Sequence, residues 1–147
     1  IIDYQLALKL NPTAYHLHNE LAFFYPHLNE IEKALHHVTI AIERSSPLSA
    51  YFDTRAQVHW LMKNYDEALQ DFIMVYELDR HGLGLAGQAI THFAMNNQRK
   101  AITLWKKAVQ ADETLADPAV FADEHHYTPA YVETVYKLAT LADQSKA

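Results

Sequence analysis

Three segments of one kind return along this chain at nearly fixed spacing: NEIEKALHHVTIAIERS from Asn29, NYDEALQDFIMVYELD from Asn64 and NQRKAITLWKKAVQAD from Asn97. Aligned on their shared alanine (Ala34, Ala68, Ala101), they lie 34 and 33 residues apart. Four residues on come Val38, Phe72 and Trp105, then Ala41, Val75 and Ala108, each followed by an apolar Ile42, Tyr76 or Val109. Steps of four, three and one keep these positions on one stripe of a helix. Upstream of each helix is a short turn (HLNE, MKNY, MNNQ), and before it a second helical segment with a small residue at a matching place, Ala22, Ala56 or Ala89. Each unit is therefore a helical hairpin. Small residues at the crossing let its two helices approach, and large ones fill the space between neighbouring hairpins. Only 3 Gly and 5 Pro in 147 residues agree with helices joined by short turns.

Paired alanines and a bulky position recurring at this period resemble the tetratricopeptide repeat. NYDEAL (64–69) is close to that family's turn and second-helix signature, and Tyr4, Ala7, Leu8 and Pro12 match the residues that close one of its units. The resemblance covers about residues 1–115, as half a repeat (1–14) and full repeats at about 15–48, 49–81 and 82–115; residues 116–147 form a divergent helical tail. It implies an all-α, right-handed superhelical solenoid of antiparallel helical hairpins. Departures from the family pattern are His18 in place of its Trp, His59 and His92 in place of its Tyr, and Arg55 and Gln88 at a usually apolar position. Pro26 removes a backbone hydrogen bond in the last turn of a first helix and is expected to kink or shorten it. With half a repeat at the front, Ile2, Leu6 and Leu10 lack one partner, which a preceding hairpin in a longer polypeptide explains. A chain opening IIDYQLALKL, with no initiator Met, reads as such a fragment.

The tail has its own punctuation. Asp117 and Pro118 predict one helix start, Thr128 and Pro129 another. In the longer second helix Val132, Val135, Tyr136, Ala139 and Ala142 form the apolar stripe, flanked by Tyr131, Leu138 and Leu141. A helix here closes the end of the repeat array, as such arrays need. The alternative is that it lies in the solenoid's own groove and moves when a partner binds.

The resemblance implies a concave surface, lined mainly by the first helix of each hairpin, that receives a peptide or partner protein. Its groove positions fall on Asn19, Phe23 and His27, on Asp53, Gln57, Trp60 and Leu61, and on Ile90 and Phe93. None is Lys or Arg, so the family's clamp for a C-terminal carboxylate is absent. An aromatic and aliphatic strip suits an amphipathic helix or an extended apolar segment. Trp60 and Phe93 serve equally well as packing.

Other functions are excluded or unsupported. A net charge of −6 leaves no basic stripe for nucleic acid or an anionic membrane, and no apolar run reaches the roughly 20 residues of a membrane span. With no Cys there is neither a disulfide nor a thiolate metal site. Among ten His, the pairs His16/His18 and His36/His37 diverge on their helices, and the best local cluster is Asp-Glu-His-His at 123–126. Surface or satisfied histidines, with no metal, are expected; collective charging on mild acidification would make binding pH-sensitive. No Gly-rich phosphate loop or nucleophile elbow occurs. Ser45, Ser46 and Ser49 around Pro47 read as helix punctuation, and Asp66 and Glu67 as the acidic first turn of a helix. The expectation is a soluble, cytoplasmic, non-enzymatic interaction module with no cofactor and no small-molecule substrate. Two alternatives stand beside it: a segment that assembles by end-to-end stacking, and the non-catalytic arm of a multidomain enzyme.

Overall fold

A computed structural model of the chain describes residues 1–125 and 127–145, apart from the side chain of Glu124. Among the described residues every regular element is helical. A lone helix, α1 (Ile2–Leu10), precedes three hairpins: α2 (Tyr15–Phe24) with α3 (Ile31–Arg44), α4 (Ser49–Leu61) with α5 (Tyr65–Asp79), and α6 (Gly82–Ala94) with α7 (Gln98–Ala111). From α1 to α7 each helix packs on the next, and the first helices α2, α4 and α6 also touch in succession along one face. None of the helices described is long and apolar enough to cross a membrane.

The turns explain why the hairpins close alike. Asn29, Lys63 and Asn96 stand at equivalent places, each in the left-handed region at φ 61, 62 and 62°. The following amide then reaches back five residues, from Glu30 to the Tyr25 carbonyl, Asn64 to His59 and Asn97 to His92, at 3.0, 2.9 and 2.9 Å. These are the bonds of a Schellman closure, which satisfies carbonyls left open at a helix end. In the first hairpin Pro26 ends α2 early, at Phe24, and Tyr25–Leu28 winds on as a 3-10 turn.

The repeated stripe becomes the core. Ala34, Val38 and Ala41, Ala68, Phe72 and Val75, and Ala101, Trp105 and Ala108 are all buried, as are the crossing residues Ala22, Ala56 and Ala89. Arg55 belongs at its usually apolar position because its guanidinium forks onto the buried Asp71 of α5, with two bonds of 2.8 Å. Helix α6 lies so close to its neighbours that side chains are excluded. A Cβ on Gly84 would stand 2.6 Å from the Tyr76 amide, and one on Gly87 2.1 Å from the Phe72 ring.

Two expectations need correction. Ile2 and Leu10 are largely exposed, yet the equivalent His36, Gln70 and Thr103, and Arg44, Leu78 and Ala111, are exposed too. These positions face outward in every unit, so a missing hairpin does not explain them. In the tail, the buried stripe of α9 (Pro129–Gln144) is Tyr131, Val135, Leu138, Ala139 and Ala142, while Tyr136 is exposed. The stripe is rotated from the expected one because α9 rests on both α6 and α7. Ahead of it, Asp117 caps α8 (Pro118–His125) through the Ala119 amide at 2.9 Å, whereas the Thr128 side chain makes no capping bond.

Candidate functional site

The inner face is built from α2, α4 and α6, and of the nine residues expected along it seven separate into two groups, Asn19 and Asp53 standing apart as buried polar groups. Phe23 and His27, from the end of α2 and the 3-10 turn, meet Gln57 and Leu61 of α4 around a cavity of about 20 Å³. That is room for about one water molecule. Its far wall is Tyr127 and Thr128, the link between α8 and α9. The second group has gone into the core. Trp60 is 7% exposed, Ile90 is fully buried, and Phe93 packs on the same cluster. Trp60 is covered by Tyr131, whose ring meets it edge-on with centroids 5.1 Å apart.

Polar groups on this face are held in unequal ways. Gln57 Nε2 donates to Asp53 Oδ2 at 2.8 Å. Burial nevertheless pushes the Asp53 carboxyl up to about 7, against the pull of the Gln57 bond and with a further push from Asp79. Burial also raises the Tyr127 and Tyr131 phenols well above their usual range, and the Asp53 charge adds to it. Asn19 Oδ1 and Trp60 Nε1 are buried without a hydrogen-bond partner. His59 and His92 are held below the usual imidazole range, burial being the leading cause.

The structure also joins two residues that stand 19 apart in the chain. His18 of α2 and His37 of α3 bring their Nδ1 atoms to 2.8 Å, one donating and one accepting. Tyr25 stacks on His37 at 5.4 Å, and Gln5 donates to the Tyr25 hydroxyl at 2.9 Å. Burial, then the neighbouring His18 and His36, lowers His37 to about 4. Only the hairpin's crossing makes this pair; His36 and His37, expected to diverge on their helix, instead bring their rings edge-on at 5.4 Å. Of the acid–His cluster at 123–126, Asp123 is exposed and His125 lies against the Phe121 and Tyr127 rings. The Glu124 side chain and His126 lie outside the described residues. No group of three His, Asp or Glu placed to hold a metal occurs among the described residues.

No protein-family model and no curated protein sequence matches the chain. Solved structures do share its fold. One described as "Crystal structure of MamA" superposes with a TM-score of 0.69 at 11% identity, over 97% of this chain and 84% of that one. "First TPR of Spaghetti (RPAP3) bound to HSP90 peptide SRMEEVD" gives 0.65 at 13%, over 90% and 94%. "Crystal structure of YrrB: a TPR protein with an unusual peptide-binding site" gives 0.66 at 17%, over 97% and 76%. The architecture is thus an all-α stack of helical hairpins of the tetratricopeptide type.

Proposed function

We propose that this chain is a protein-interaction module that receives a peptide or partner-protein segment on the inner face of α2, α4 and α6. The observation that carries the reading is the seat made by Phe23, His27, Gln57 and Leu61 beside Asp53. It is apolar with a few directed polar groups, the composition that fixes a ligand's orientation while hydrophobic contact supplies affinity. Two structures of the same fold are described as holding a peptide or having a peptide-binding site, which supports the use of this surface. The seat's own residues include no cation, so the segment it suits is apolar or aromatic rather than one anchored by a terminal carboxylate. The role is non-catalytic.

The test is selection of random peptides on the immobilised chain, followed by affinity measurement against a Phe23→Ala/Leu61→Ala variant of equal helicity. Enrichment of aromatic-rich sequences is expected, with binding at least about ten-fold weaker to the variant, as for truncated interface anchors. Peptides bound equally by both proteins would move the working surface elsewhere.

A further inference from the structure

The link between α8 and α9 does more than closing the stack requires. Helix α9 packs on α6 and α7. Its approach segment, however, crosses to the first two hairpins, where Tyr127 and Thr128 wall the cavity formed by Phe23, His27, Gln57 and Leu61. Tyr127 is 9% exposed. One helical turn further on, Tyr131 covers Trp60. The two tyrosine rings meet at 4.9 Å, and Phe121 closes on Tyr127 at the same distance. Two tyrosine side chains of the tail therefore lie on the inner face, while Phe121 backs them from its contact with Trp105 of α7.

What lies beneath them is unfinished for a core. Trp60 Nε1 is buried without a partner. Buried polar groups in a settled interior are satisfied almost throughout, and each one that is not costs about 1–3 kcal/mol. A donor on α4 left open beside the Tyr131 ring suits a chain that brings an acceptor to it.

Resting on the interaction reading above, we propose that Tyr127–Tyr131 is a displaceable internal occupant of the inner face. The partner that displaces it is a segment carrying two aromatic side chains about one helical turn apart, with an acceptor for Trp60 Nε1. Tethered a few residues from α9, the occupant competes at an effective concentration on the order of millimolar. An external segment binds measurably only by satisfying what the tail leaves open, or when the tail's hold is weakened.

The chain has no cysteine, so a chemical lock can be placed at will. Thr54 and Thr128 line the same cavity, and Thr54→Cys/Thr128→Cys pins the link to α4 when oxidised and frees it when reduced. The probe is a fluorescein-labelled synthetic peptide of residues 118–134, read by anisotropy on the full chain. It is expected to bind Tyr127→Ala at least ten-fold more tightly than the wild type, and the reduced double variant but not the oxidised one. A peptide with both tyrosines changed to alanine is expected not to bind. Equal binding to oxidised and reduced protein, or binding to none of them, overturns the proposal.

Amide exchange on the unmodified chain gives an independent reading if the disulfide does not form. Amides of Val132–Val135 should exchange at least ten-fold faster than those of Ala89–Thr91 in α6; equal protection means that the link opens only with global unfolding and sinks the idea. The two readings separate cleanly. Selected peptides that bind the oxidised and reduced forms alike leave the interaction module standing and remove the internal occupant, whereas failure to select any peptide on Tyr127→Ala, where the tail's hold is weakened, removes the module itself.

Discussion

The His18–His37 contact makes acid sensitivity calculable. An N–H···N bond of 2.8 Å between imidazoles requires that at least one ring be neutral. Burial first, then the His18 and His36 charges, brings His37 down from 6.5 to about 4. Between these values the unfolded chain binds a proton that the folded chain refuses. Stability is thus fully present above pH 6.5 and is lost as pH falls through 4. Integrated from pH 7 to pH 4.5, a shift of this size amounts to about 2.4 kcal/mol. The ring is only partly buried, and solvent screening leaves roughly 1–2 kcal/mol. Urea unfolding of wild type and His37→Asn at pH 4.5, 5.5 and 7 isolates the contribution, because other titrating groups are common to both. His18, His59 and His92 shift in the same direction and Asp53 in the opposite one. The wild type should lose about 1–2 kcal/mol more than the variant between pH 7 and 4.5. Parallel pH profiles, or a steeper loss in the variant, would refute the reasoning.

Asp53 gives the reverse case. Its folded pKa is raised to about 7, so its contribution is fully present below 3.8 and is lost as pH rises through 7. At pH 8 Asp53→Asn should gain about 1–2 kcal/mol over wild type in urea unfolding, with the gain gone at pH 4. Lys63 holds φ 62° without glycine's freedom, and Lys63→Gly should stabilise the chain by about 1 kcal/mol, seen as a higher urea midpoint at unchanged slope. Removing one partner of the Arg55–Asp71 fork with Asp71→Ala should cost about 3 kcal/mol. Arg55→Leu/Asp71→Leu should recover most of it, as a calorimetric double-mutant cycle would report.

What could be read in the sequence was whatever repeats. The alanines at 34, 68 and 101, the bulky residues four positions on and the matching turns fix a helical period and a hairpin unit, because each amphipathic stripe must be buried against a copy of its own kind. A single recurrence would have meant little, but three in phase specify the stack. Other features depend on distances that no local spacing encodes. His18 meets His37, and Arg55 meets Asp71, only once two helices cross. Trp60 and Ile90 carry the helical spacing of groove residues, yet both are buried, Trp60 under Tyr131 of a non-repeating tail. That return is set by the direction the chain takes between α8 and α9, which the repeat pattern does not describe. Local periodicity decides which face of a helix is apolar; only the assembled fold decides what that face is buried against.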